Sequence, residues 1–268
     1  MRPAVHRMHL RSGNFALRIR FLLLLGLVLV TLPVACKDGG SPSGFVSGQP
    51  NTVFYEAKDG VHIIAHWELP KGKKKPPVVI LLHQFEGSRE QWKPLIPKLL
   101  DAGYAVLAPD LHGFGGSVTI DRDGKSEIYK LEDPEDLLLD APAAIKWVSG
   151  RSEIDSKRIA VIGASVGANL AYVASGTEKA VKTAVAMSPS TSLNDDKFVG
   201  KGIKDFKPHS ILFQSDVAES LAPQQLAPDV QDPVQIEVYP SADKVHGVAL
   251  LTNPKVIQDI LDWLKQTL

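Results

Sequence analysis

From residue 52 onward, unbroken apolar runs alternate with stretches whose apolar positions recur every three or four residues. PVVILLH (residues 77–83), YAVLAPD, RIAVIGAS, KTAVAMSPS, HSILFQS and QIEVYP read as strands. Several are apolar at every position, as strands covered on both faces are. Between them lie helical patterns. Residues 88–102 place Trp92, Leu95, Ile96, Leu99 and Leu100 at helical spacing and end at Gly103. Residues 134–149 carry Leu137, Leu138, Ala141, Ala144, Ile145 and Val148, VGANLAYVAS follows one strand directly, and NPKVIQDILDWLKQTL closes the chain as an amphipathic helix. TVFYEA and VHIIAHWEL, joined by the turn signal Lys58-Asp59-Gly60, read as an antiparallel pair at the edge. The alternation predicts one α/β domain over 52–268, a mostly parallel sheet with helices on both faces. Only about twenty residues separate the strand near Ser188 from the one near Ser210, too few for a large lid.

The first 36 residues follow a different pattern. Five arginines and no acid precede or flank FLLLLGLVLVTLPVA, residues 21–35, about the length of a signal-peptide apolar region and short for a comfortable membrane span. Cys36, the only cysteine, follows Pro33-Val34-Ala35 and excludes an intramolecular disulfide or a cysteine-rich metal site. The segment resembles the lipobox of bacterial lipoproteins, which implies export and lipidation at Cys36. It departs from that pattern at Pro33, and a plain cleaved signal peptide or an uncleaved anchor are the competing readings. Residues 37–51, KDGGSPSGFVSGQPN, have the composition of a flexible tether. Formal charge is zero overall, with 30 basic and 30 acidic residues, so removing the five N-terminal arginines leaves a mildly acidic remainder. That balance gives no reason to expect a nucleic-acid partner.

Candidate chemistry centres on GASVG, residues 163–167, set between a strand and a helix. A serine on such a turn is presented as a nucleophile, and the amides that follow it sit at a helix N-terminus, where an oxyanion can be held. Serine needs a base to take its proton, and the base needs an orienting acid. Downstream of Ser165 stand two histidines. His209 precedes a strand and so falls at the wrong end of the sheet. His246, in PSADKVHGVALL, falls beyond a strand end on the Ser165 side. Two carboxylates are available in DVAESLAPQQ, Asp216 and Glu219. Glu219, a few residues past the strand and followed by Pro223, fits the spacing better than Asp216, which abuts the strand. The loop His83-Gln84-Phe85-Glu86-Gly87 is placed to give a second oxyanion amide, from Phe85, beside that of Val166.

LLHQFEGSREQW, APDLHGFGGS, VIGASVGAN, ILFQSDVAESLAP and VHGVALL together resemble an α/β-hydrolase of the lidless, dienelactone hydrolase-like branch. The resemblance implies an α/β-hydrolase fold over 52–268, with Asp110–Ser117 structural, His112 a loop hydrogen-bonding residue, and no metal or organic cofactor. Relatives often carry Gly where Gln84 stands, so Phe85 matches their amide donor. Register with Pro223 puts Glu219 on the family's acid, and Ser165 in place of the branch's cysteine nucleophile implies esterase-like activity on small-molecule esters. A membrane partner is expected only through the N-terminal anchor. Other readings are a surface binding protein that keeps the fold without the chemistry, and a peptidase or acyltransferase using the same residues. Residues 118–133 are charged and polar, a surface loop or a wall of the substrate pocket.

Overall fold

In the computed structural model of the protein, residues 50–191 and 206–268 are described. The expected leader, Cys36 and most of the 37–51 tether lie outside them. Ten strands form one sheet: β1 (Thr52–Glu56), β2 (Val61–Glu68), β3 (Val78–Leu82), β4 (Ala105–Pro109), β5 (Thr119–Arg122), β6 (Lys125–Ile128), β7 (Ile159–Ala164), β8 (Val181–Met187), β9 (Ile211–Asp216) and β10 (Val234–Tyr239). Their order is β10-β9-β8-β7-β3-β4-β2-β5-β6, with β1 paired to β2. The strands from β10 to β4 run parallel. β2 is antiparallel to β4, and β1 to β2, so β1 runs in the direction of the parallel set. The expected antiparallel edge is therefore present, and the tether's last residue already belongs to it: the Asn51 carbonyl accepts the Trp67 N–H at 2.8 Å.

Alternation of side chains divides the core between two faces. From β3, Val78, Ile80 and Leu82 enter one apolar cluster, which includes Ala144 and Val148 of α2 (Asp140–Ser149) and Leu170 of α3 (Val166–Thr177). Val79 and Leu81 enter the other, with Leu99 of α1 (Ile96–Asp101) and Val256, Ile260 and Trp263 of α5 (Pro254–Thr267). All five β3 side chains are completely buried, each contributing about 1.5–3 kcal/mol. The fifth helix, the short α4 (Leu221–Leu226), precedes α5 in chain order and follows β9.

Proline decides where the two expected helices differ from expectation. In 88–102, Pro94 cannot sit inside a helix, so the segment is a 3₁₀ turn (Arg89–Trp92) followed by α1, with Pro97 in its first turn. In 134–149, Pro142 is tolerated only near a helix start, and α2 begins at Asp140 after a 3₁₀ turn over Pro134–Leu139. The polar stretch 118–133 is largely a hairpin, β5–β6, that extends the sheet from β2.

Two buried carboxylates organise the turn after β4. Asp110 accepts from the Arg89 amide at 2.7 Å and the Gly116 amide at 2.7 Å, and pairs with the Arg89 guanidinium. Asp140 accepts from His112 Nδ1 at 2.8 Å, while His112 Nε2 reaches Asp59 at 3.3 Å. Burial opposes a charge on His112, but the hydrogen bond and charge of Asp140, with Asp59 behind them, outweigh it and raise its pKa to about 9. A folded-state pKa above the ordinary histidine value means stability present below about pH 6.5 and lost as pH rises through about 9. Urea unfolding of wild type and His112→Gln should therefore show a stability gap that narrows from pH 6 to pH 10 by on the order of 3 kcal/mol. An equal gap at both pH values would mean that the buried imidazole carries no charge.

Candidate active site

β7 hands the chain to Ser165, and α3 starts at the next residue. Ser165 has φ 54° and ψ −119°, a left-handed conformation that a non-glycine residue adopts at a cost of about 1–3 kcal/mol. Its surroundings hold it there. The Ser165 N–H donates to the Met187 carbonyl on β8 at 2.9 Å, and its carbonyl accepts from Ala168 and Asn169 at 2.9 and 3.2 Å. The flanking glycines leave no room for relaxation: a Cβ on Gly163 would lie 1.8 Å from the Gly167 carbonyl oxygen, and one on Gly167 would lie 2.1 Å from that of Leu82. The Val166 amide, first in α3, has no intrahelical acceptor, and Val166 lines the same cavity as Ser165.

The loop after β3 lies next to this turn. His83 is fully buried, and burial lowers its pKa, so it is neutral. Its Nε2 accepts the Leu111 N–H at 2.9 Å, which leaves the proton on Nδ1 to be donated to the Gln84 carbonyl at 2.7 Å. The Gly87 N–H donates to the same carbonyl at 3.0 Å. Because the C=O and N–H of a trans peptide point in opposite directions, fixing the Gln84 carbonyl turns the Phe85 N–H away from His83. Phe85 lines the cavity that holds Ser165, its ring packed edge-on against Phe114 at 5.1 Å.

The two candidate acids occupy different positions. Asp216 ends β9 and is 2% exposed. Its Oδ1 accepts the Ala218 N–H at 2.8 Å, capping a 3₁₀ turn over Val217–Glu219, and its Oδ2 accepts from the Ser241 hydroxyl at 2.5 Å. Those two donors, Ser241 first, hold its carboxyl below the usual aspartate range. Asp216 makes no hydrogen bond to His246. Glu219, at the end of the capped turn, accepts from His246 Nδ1 at 2.6 Å. In the neutral ring this contact places the proton on Nδ1 and leaves Nε2 with its lone pair.

The loop bearing His246 is tied down by its backbone. The Gly247 N–H donates to Ser188 Oγ at 2.9 Å, the Val248 N–H to Gln84 Oε1 at 3.2 Å, and the Val245 N–H to Ser241 Oγ at 3.2 Å. A cavity of about 530 Å³ gathers Ser165, Val166, Phe85, Glu219 and His246 on its walls. Leu221 of α4 adds an apolar wall, and Asn169 of α3 lines it while donating to Ser190 Oγ at 2.9 Å. In this conformation Ser165 Oγ makes no hydrogen bond to the imidazole, although both line the same cavity.

The remaining candidates are placed as follows. His209 meets the Val181 carbonyl at 2.8 Å, at the start of β8 and the end of the sheet away from Ser165. Cys36 lies outside the described residues. Ser188 and Ser241 carry no mark in the sequence beyond their placement one and two residues past the C-terminal ends of β8 and β10. The β5–β6 hairpin does not line the Ser165 cavity among the described residues; Ile120, Tyr129 and Asp136 border a separate polar recess. No group of three or more His, Cys, Asp or Glu side chains arranged to hold a metal occurs among the described residues.

Known proteins resemble this arrangement in sequence and in fold. A Methylorubrum extorquens protein named for carboxymethylenebutenolidase activity is 26% identical over 170 residues, 61% of this chain and 57% of that protein. The chain thus spans little more than half the length of that curated relative. Among solved structures, the Pyrococcus furiosus esterase Pf2001 superposes with a TM-score of 0.64 at 24% identity, covering 81% of this chain and 91% of that one. An acetyl xylan esterase from Paenibacillus sp. R4 superposes with a TM-score of 0.63 at 22% identity, covering 81% and 83%. At these identities the likeness is one of fold, and it is the α/β-hydrolase fold. The model of the dienelactone hydrolase family matches residues 63–249, from β2 to the turn after His246, and the chain belongs to that family.

Proposed function

We propose that the protein is a serine hydrolase that cleaves carboxylic esters through an acyl-enzyme. One observation carries this reading: Ser165, on its strained turn, shares a cavity with an imidazole whose Nδ1 is held by Glu219 at 2.6 Å. In the reading, Nε2 of His246 takes the Ser165 proton as Oγ attacks the ester carbonyl. Glu219 stabilises the imidazolium that forms. The oxyanion is received by the Phe85 and Val166 amides, donors commonly worth about 3 kcal/mol each. Collapse of the adduct expels the alcohol, which leaves with the imidazolium proton. Water then repeats the attack with His246 again as base, releasing the acid and restoring Ser165. Asp216 acts on this machinery from outside it, holding the turn of Glu219 and, through Ser241, the loop of His246.

The names of the relatives agree with ester chemistry: one is named for a butenolide, a cyclic ester, and two solved neighbours are esterases. Export and lipidation at Cys36 form part of the same proposal and rest on the residue pattern of the leader.

Wild type should be labelled by a fluorophosphonate probe and should turn over a short p-nitrophenyl ester, and Ser165→Ala should lose both, with kcat down by about 10³-fold or more and the fold retained. A non-catalytic binding protein would not label at all, and a mutant with wild-type rates would remove Ser165 from the mechanism. Between the acids, Glu219→Gln should cost about 10²–10⁴-fold in kcat, and Asp216→Asn, which keeps one acceptor oxygen, clearly less; the reverse ranking would make Asp216 the acid. In a bacterial host, wild type should incorporate labelled fatty acid and fractionate with membranes, and Cys36→Ala should incorporate none. Equal incorporation by the variant would rule out lipidation at this residue.

A further inference from the structure

His246 stands on an exposed loop. Its own side chain is 47% exposed, so packing does not hold it. The residue is also the N-cap of the 3₁₀ turn Gly247–Thr252, yet its side chain caps nothing. The first amides of that turn need acceptors from elsewhere. Two other segments supply them: Ser188, just past β8, takes the Gly247 N–H, and Gln84, just past β3, takes the Val248 N–H.

Gln84 differs from Ser188 in where its main chain goes. Its carbonyl is held by His83 Nδ1 and the Gly87 amide, and the same peptide unit carries the Phe85 N–H. One residue thus has its backbone in the candidate oxyanion loop and its side chain on the candidate base loop, 164 positions along the chain. The two loops also meet at Gly247, whose φ is 56° and where a Cβ would lie 2.4 Å from Gln84 Oε1. Glycine is what permits both the backbone conformation and the approach.

We propose that Gln84 is a positioning residue: its amide oxygen, by holding the Val248 N–H, sets His246 in register with the oxyanion donor at Phe85. The role rests on the serine-hydrolase reading. It accounts for a glutamine in the loop where a smaller residue would leave the Val248 amide without this acceptor. Catalytic geometry tolerates displacements of only fractions of an ångström, so loss of the tie lowers turnover more than substrate binding.

Gln84→Met keeps the side-chain length and removes the acceptor. It should lower kcat about 10-fold or more for a short p-nitrophenyl ester, with KM within about 3-fold and the melting temperature within a few degrees of wild type. Gln84→Glu keeps an acceptor oxygen at the same reach and should restore kcat to within about 3-fold. Val248→Pro deletes the donor from the other side, at a position early in a 3₁₀ turn that accepts proline, and should reproduce the Gln84→Met split. It also stands in should Gln84→Met fail to fold. Fluorophosphonate labelling should slow in parallel with kcat in both variants. Wild-type kcat in Gln84→Met or Val248→Pro, or a Gln84→Glu as impaired as Gln84→Met, overturns the proposal. So does a parallel change of kcat, KM and melting temperature, which would mark a structural role alone. Wild type that neither labels nor turns over ester overturns the hydrolase reading and this role with it. Wild type that labels, with variants labelling equally fast, overturns the role of Gln84 alone.

Discussion

The backbone contact between the start of α3 and strands β3 and β7 is the constraint from which the site is built. With Gly163 and Gly167 pressed against neighbouring carbonyl groups, the helix cannot move away from the sheet without opening a void, nor accept a side chain at either position. Ser165 is confined between them, and its left-handed backbone follows from that confinement. Two things are then settled together. The hydroxyl stands clear of the sheet at the C-terminal end of β7, and the first free amide of α3 lies beside it, close to the loop that leaves β3. Ligand-binding crevices in parallel sheets form at this end of the strands because each strand there delivers a loop; here β3, β7, β8, β9 and β10 each deliver one to the cavity or to the loop of His246.

The arrangement of the acids shows how one turn can separate two similar groups. Asp216 is drawn into the backbone at the strand end, where it accepts from an amide and a hydroxyl. Glu219, three residues on, emerges from the turn that Asp216 caps and has the extra methylene needed to reach the imidazole. The pair it makes with His246 is partly exposed, at 30% and 47% of the side chains, so solvent screens it and its contribution to folding stability is small. What it fixes is the direction of the imidazole ring.

Much of this was legible in the chain. Strands buried on both faces announce themselves as unbroken apolar runs, so the order of β3, β4 and β7 to β10, and hence the common end of Ser165 and His246, could be read from VVILL, AVLAP and their successors. The nearness of Glu219 to His246 followed from spacing past a strand end. The divided helices were written there too, in Pro94 and Pro142, although apolar periodicity alone masks the interruption. Less legible was the β5–β6 hairpin, because TIDR and KSEI have almost no apolar face and are held by backbone pairing, which leaves no mark on side-chain pattern. Contacts of Gln84, Ser188 and Ser241 were hidden for a related reason: small polar side chains that accept from distant amides have no periodicity, and only the folded loops bring the partners together.

The direction of β1 has a consequence for the far end of the sheet. The strand runs with the parallel set, and its first hydrogen bond to the sheet is made by Asn51. Through β2, Thr52 stands level with Ala108 near the end of β4, so β1 carries on beyond the parallel strands. The turn it leads into reaches the loop after β4, where Asp59 meets His112. An edge pairing thereby braces the same end of the sheet that carries Ser165.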